Sequence, residues 1–151
     1  MATYRERIML ALVAALSASG GPSGLTVHRE RTRPIEIDSL PAIMVYAEDD
    51  PPKPLAGQQY RAPLTERQLT VGLQMRAAGS ATTPPDAALD PLAIWIYQQI
   101  RADETFTGLA NGVEEVRTVW NSKEGDLPIA ACTVHFTIKY RTSRLDPTSK
   151  S

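Results

Sequence analysis

The chain has 151 residues, with 16 basic and 17 acidic side chains and 42% hydrophobic residues. A domain of this length buries roughly 68–70% of its unfolded surface, and the near-balance of charge argues against a general nucleic-acid or acidic-membrane binder, which carries a basic excess. A single cysteine excludes an internal disulfide framework and a cysteine-rich zinc site, while 12 prolines and 9 glycines call for many loops.

At the start of the chain, Arg5 and Arg7 precede an apolar run from Ile8 to Leu16, then Ser17-Ala18-Ser19-Gly20-Gly21. This has the outline of a secretory signal peptide. Glu6 inside the basic segment and the shortness of the apolar run favour a buried helix from about Thr3 to Ser19 instead. Thr3 and Glu6 form a capping-box pattern. Ile8, Leu12 and Ala15 share a stripe flanked by Met9, Val13 and Leu16, and Gly20-Gly21-Pro22 ends it.

Leu25 to Arg29 reads as a short strand, followed by a charged connector in which Pro34 blocks regular pairing. Ala42 to Glu48 is apolar on both faces, as a central strand is. Glu48 to Leu64, with Pro51, Pro52, Pro54, Gly57 and Pro63, is a long loop of the kind reserved for function or contact. Thr65 to Ala78 alternates, with Leu69, Val71, Leu73, Met75 and Ala77 inward and Gln68, Thr70, Gln74 and Arg76 outward. After a loop to Ala88, Asp90-Pro91 reads as N-cap and first helical residue of a second helix ending near Asp103, with Leu92, Trp95, Ile96, Gln99 and Ile100 on one side. Val113 to Trp120 is a strand, Asn121 to Asp126 a turn, and Leu127 to Arg141 a long closing strand. There, Ala130, Cys132, Val134, Phe136, Ile138 and Tyr140 alternate with Thr133, His135, Thr137, Lys139 and Arg141. Trp95 and Trp120 read as core anchors, and His135 as a polar residue on an exposed or subunit-facing side.

The expected fold is α+β. It is a largely antiparallel sheet of about five strands with two helices on one face, in the order α-β-β-β-α-β-β. One domain would span 1–142, with 143–151 as a flexible tail. A long amphipathic strand beside a loose tail suggests packing completed against other subunits.

The residue types needed for catalysis do not converge. Cys132 and His135 are three apart on a strand and point to opposite faces, so they cannot share an ion. His28-Arg29-Glu30 matches half of the zinc deaminase signature, but the required cysteine pair is missing. The glycines around Gly20 follow a helix and lack the lysine of a phosphate loop. The adjacent acids Asp49-Asp50, Asp103-Glu104 and Glu114-Glu115 read as solvated surface. No catalytic residue, metal or cofactor is expected, so the chain reads as a non-enzyme. His28 to Arg33 is the one basic cluster, weighed as a polar strand face or subunit contact ahead of a phosphate site.

Taken in order, several phrases resemble the tail terminator family of long-tailed bacteriophages, also called minor tail or tail completion proteins. They are the arginine-bearing first helix, Leu25-Thr26-Val27-His28-Arg29, Leu40-Pro41-Ala42-Ile43-Met44-Val45-Tyr46 before Glu48, Asp49 and Asp50, and Leu89-Asp90-Pro91-Leu92. They continue with Thr107-Gly108-Leu109-Ala110-Asn111, Glu114 to Trp120, and Phe136-Thr137-Ile138-Lys139-Tyr140-Arg141-Thr142 followed by Asp146-Pro147. The resemblance implies a structural virion protein. It would form a ring, typically of six copies, on the last ring of the tail tube, stop tube polymerisation and meet the head or neck. DNA would pass through the lumen without specific binding, with no membrane involved. Nominated by position as contacts to neighbouring subunits or the tube are Arg29, Arg31, Arg33, Asp49, Asp50, Arg61, Arg141 and Arg144. The competing readings are another neck or tail-completion protein, a secreted or periplasmic binding domain, and a small enzyme.

Overall fold

The computed structural model describes residues 1–29, 40–53, 64–121 and 129–150. The elements are helix α1 (Tyr4–Leu16), strands β1 (Thr26–Arg29), β2 (Ala42–Asp49), β3 (Pro52–Lys53) and β4 (Leu64–Ala78), helix α2 (Asp90–Ala102), and strands β5 (Gly112–Asn121) and β6 (Ile129–Ser143). They form an α+β domain, and the expected order holds with the two-residue β3 added. Arg31, Arg33, Pro34, Arg61 and most of the expected turn after Asn121 lie outside the described residues.

Helix α1 starts where the capping pattern places it. Thr3 Oγ1 accepts the Glu6 N–H at 3.1 Å. The reciprocal half of the capping box is replaced by a longer-range bond, because the Glu6 carboxylate takes both Arg29 guanidinium nitrogens at 2.5 and 2.7 Å. The helix ends earlier than expected, at Leu16, and Gly20 turns the chain away with φ +97°. Its last carbonyls find partners on α2. Trp95 Nε1–H donates to Leu16 O at 2.9 Å, and Gln99 Nε2–H donates to Ala15 O at 2.7 Å. These bonds satisfy acceptors that a helix end leaves open and lock the two helices together.

Helix α2 is preceded by a 3-10 turn, Ala87–Leu89, whose first N–H is capped by Asp86. Asp90 is therefore the first residue of the helix and not its cap, which is Leu89 with no side-chain bond. Asp90 still places negative charge at the positive end of the helix dipole. Leu92, Trp95, Ile96 and Ile100 are buried as their spacing requires.

The sheet runs β1-β2-β4-β6-β5, with β3 beside β4 as a continuation of β2. β1 and β2 are parallel and every other pairing is antiparallel. Because β4 and β5 both run against β6, α2 connects two parallel strands across the strand that lies between them. The pairing of β4 with β6 is continuous from Leu64 opposite Ser143 to Ala78 opposite Ile129. Alternation sorts the faces as read from sequence. Leu69, Val71, Leu73, Met75 and Ala77 of β4 and Cys132, Val134, Phe136, Ile138 and Tyr140 of β6 pack with Ile8, Met9, Leu12, Leu92 and Ile96 beneath the helices. At the start of the long loop expected from Glu48, Glu48 and Asp49 instead extend β2 and Pro52–Lys53 pairs with Glu66 and Arg67, while residues 54–63 lie outside the described residues.

The C-terminal residues, expected to be a flexible tail, run back across α1. Tyr4 N–H donates to Pro147 O at 2.9 Å, Arg7 to Thr148 O at 2.5 Å, and Ser143 N–H to Ser149 O at 2.7 Å. The Arg7 guanidinium sits 4.2 Å from the Tyr4 ring centroid. No described helix is long and apolar enough to cross a membrane.

Candidate interaction surfaces

The face of the sheet turned away from the helices carries Met44, Tyr46 and Glu48 from β2 and Glu66, Gln68, Thr70, Gln74 and Arg76 from β4. β6 adds Thr133, His135, Thr137, Lys139 and Arg141, and β5 adds Glu114, Arg117 and Val119. Opposite charges are interleaved across it. Arg141 Nε lies 3.7 Å from Glu66 Oε2, and Lys139 Nζ is 3.2 Å from Glu114 Oε1. Thr70 and Thr137 face each other across the central ladder. Exposed pairs of this kind contribute little to stability, about 0–1 kcal/mol each. Their effect is to make the surface polar and nearly neutral.

One rung crosses the whole of this face, from Tyr46 on β2 through Gly72 on β4 and His135 on β6 to Arg117 on β5. Gly72 is there because the Tyr46 ring lies on it: a Cβ at that position would sit 2.3 Å from Tyr46 Cζ. Burial chiefly, and then the nearby Glu48 carboxylate, push the Tyr46 phenol up. Glu48 Oε1 lies 2.9 Å from His135 Nδ1, and Glu48 Oε2 lies 4.0 Å from Arg117. The His135 contact is not aligned as a hydrogen bond, so it is a close electrostatic approach. His135 is only 5% exposed, which corrects the exposed alternative in its reading as a residue on an exposed or subunit-facing side. The Tyr46 ring and the Glu48 and Arg117 side chains surround the position. The sequence offered no sign of this cluster beyond a glycine inside a strong strand pattern, which marks close approach of another group.

A second polar cluster lies at the other end of the helix-side core. Tyr140 O–H donates to Asp50 Oδ2 at 2.6 Å, Arg67 donates to Asp50 O at 3.2 Å, and a cavity of about 180 Å³ opens between Thr3, Arg5, Arg67, Tyr140 and Thr142. Burial raises the Asp50 carboxyl above its ordinary range against the opposing effect of the Tyr140 hydroxyl and Arg67. Asp50 Oδ1 is buried without a hydrogen-bond partner.

The third surface is the edge formed by β5, which pairs only with β6 among the described strands. Its first half is anchored. Val113 is buried, and Tyr97 O–H donates to Glu115 Oε1 at 2.6 Å, with burial and that carboxylate pushing the phenol up to about 12. A bulge between Glu115 and Arg117 then shifts the register. Beyond it the strand is exposed, and Trp120 is 60% exposed, which corrects its reading as a core anchor. The pattern of aliphatic neighbours was real, but α2 does not reach far enough to cover it.

The nominated contact residues are dispersed. Arg29 is bound to Glu6 beside α1. Asp50 belongs to the Tyr140 cluster, while Asp49 is exposed and accepts the Asp50 N–H at 2.9 Å. Arg141 lies on the bare sheet face next to Glu66, and Arg144 is exposed in the C-terminal segment. Arg31, Arg33 and Arg61 lie outside the described residues. Among the described residues, no three histidine, cysteine or acidic side chains are grouped to hold a metal. Among the described residues, the architecture is that of an α+β domain with one face buried under helices, one polar bare face and one bare edge. No protein-family model matches the chain, and no curated protein matches it at a significant level.

Proposed function

We propose that the protein is a structural virion component that caps the tail tube of a long-tailed phage, ends its polymerisation and joins it to the head or neck. In this reading, copies form a ring, taken as six, between the tube protein on one side and the connector or neck on the other. The observation that carries the reading is the bare face of the sheet. It is polar, its arginines and lysine are interleaved with Glu48, Glu66 and Glu114, and no described helix covers it. A surface that lines a passage for DNA needs this balance, because each phosphate neutralised by a basic side chain adds affinity and holds the duplex. The ordered phrases that resemble tail terminators support the same conclusion.

Deleting the gene in the producing phage tests it. Without a cap, tube subunits keep adding, and lysates contain free heads beside tails of abnormal, variable length. Tails of normal length that fail to join heads would assign the protein to another step of neck completion. Tails of normal length that do join would end the structural reading.

A further inference from the structure

We propose that the cavity beneath the start of α1 binds a single carboxylate, gripped by the guanidinium groups of Arg5 and Arg67. The site lies on the helix-covered side of the sheet, away from the bare face on which the capping role rests.

Two strands, a helix and the C-terminal segment build it. Arg67 on β4 is opposite Tyr140 on β6, and Thr65 is opposite Thr142. Alternation therefore sends Arg67, Tyr140 and Thr142 to the same side as the core residues Leu69 and Ile138. Helix α1 brings Thr3 and Arg5 over them, and Pro147, whose carbonyl takes the Tyr4 N–H, completes the rim. Tyr140 and Thr142 are 1% and 2% exposed, so polar groups reach deep into the fold here. The cavity measures about 180 Å³. Voids of about 150 Å³ hold a molecule the size of benzene, so a short acid fits.

Charge at the site is unbalanced. Arg5 is half-buried and has no hydrogen bond or ion pair among the described residues. Arg67 donates to the Asp50 carbonyl and lies 3.9 Å from Asp50 Oδ2. Asp50 is the only carboxylate lining the cavity, and it neutralises two cations poorly. Its Oδ2 is taken by the Tyr140 hydroxyl, and its Oδ1 is buried without a partner. Burial also raises its carboxyl pKa against the effects of Tyr140, Arg67 and Arg5. Acids on the neighbouring elements are committed elsewhere: Glu6 to Arg29, Glu66 to Arg141 on the bare face, and Asp146 to Thr148 in its own turn. The positive end of the α1 dipole adds to the excess. With Asp50 ionised, the two arginines leave one positive charge over. A singly charged carboxylate closes that balance and matches the planar fork of a guanidinium. A doubly charged phosphate would overshoot it and face Asp50.

Amide chemical shifts of the full-length, nitrogen-15-labelled protein test the site. Propionate at constant ionic strength shifts the signals of Arg5, Asp50, Arg67 and Thr142, with a dissociation constant on the order of 1 mM for so few atoms. Propionamide, which has the shape without the charge, shifts none of them. R5A removes an unpaired side chain from an outer helical turn, so it folds, and it weakens propionate about tenfold. D50N keeps an acceptor for Tyr140 and removes the like charge, so it tightens propionate about tenfold; an arginine pair with a merely structural role predicts no such gain. A blocked glutamate peptide identifies the source of the carboxylate. Binding at least as tight as propionate makes it an acidic side chain of a partner, and exclusion of the peptide makes it a free acid; both keep the site. Absence of shifts at these residues, equal shifts with propionamide, or unchanged affinity in R5A overturns the proposal. Weaker binding in D50N overturns the charge argument, and inorganic phosphate binding more tightly than propionate overturns the assignment to a carboxylate.

Discussion

Gly72→Ala tests the packing of the bare sheet face directly. The new methyl would lie 2.3 Å from Tyr46 Cζ, 2.5 Å from its hydroxyl oxygen and 2.7 Å from Cε2. Ordinary carbon contacts need about 3.5–4.0 Å, so the ring must swing off the strand and away from Glu48 and Thr133. Inserting a methyl into a packed contact costs about 1–3 kcal/mol. Against this stands a gain of roughly 0.5–1 kcal/mol for replacing a strand glycine by alanine. The net expectation is a loss of about 1–2 kcal/mol. In a Tyr46→Ala background the overlap disappears and only the gain remains, so the same substitution becomes neutral or stabilising. A double-mutant cycle by urea unfolding measures the coupling, about 2 kcal/mol. If G72A has the same sign and size in both backgrounds, the glycine is not there for the tyrosine and the account of this rung is wrong.

Three further outcomes are expected. Phe136→Ala removes a fully buried ring that meets Tyr97 edge-on at 6.0 Å, and costs about 3–5 kcal/mol in denaturant unfolding; a loss under about 1 kcal/mol would contradict the face assignment of β6. Trp95→Phe keeps most of the ring but strands the Leu16 carbonyl, with a loss of about 1–3 kcal/mol; no measurable change would mean that water replaces the indole N–H. Asp50 has a raised carboxyl pKa in the folded state, so it binds its proton more tightly folded than unfolded. Its stabilising share is present below the unfolded pKa and is lost as pH rises through the folded value. The wild type should therefore lose stability relative to Asp50→Asn as pH climbs through the carboxylate range, and a slope of the opposite sign in paired unfolding curves would refute this.

The helices and the faces of β4 and β6 were legible because burial there follows plain periodicity. Leu69 to Ala77 and Ala130 to Tyr140 alternate without interruption, and Thr3 announces its helix through a local bond. Legibility failed where the deciding partner is far away in sequence. Glu6 has the spacing to close a capping box, but Arg29 offers two charge-assisted bonds and takes the carboxylate. Trp120 sits among aliphatic residues in a strand, and only the reach of α2 decides that it is uncovered. His135 is buried by Tyr46, Glu48 and Arg117 from two other strands, a meeting that no local pattern announces. The C-terminal residues are polar and short, yet their backbone carbonyls are what Tyr4 and Arg7 bind. Of the nominated contacts among the described residues, Asp50 alone falls in a cluster of interacting side chains with a cavity, because composition identifies charges without saying which end of the sheet they share.

The position of β6 between β4 and β5 also governs the order in which the molecule can assemble. β6 is the last strand in chain order, yet its two neighbours are β4 and β5, both synthesised earlier. Until residues 129–143 arrive, β4 keeps a long unpaired side from Leu64 to Ala78, and β5 has no strand to join. The principal ladder joins residues separated by about a third to a half of the chain, from Ala78 with Ile129 to Leu64 with Ser143. Closing such loops before contacts reward them slows folding. The nascent protein therefore passes through a stage in which an apolar half-sheet awaits the strand that joins it to β5, and misassembly competes with folding most strongly at that stage.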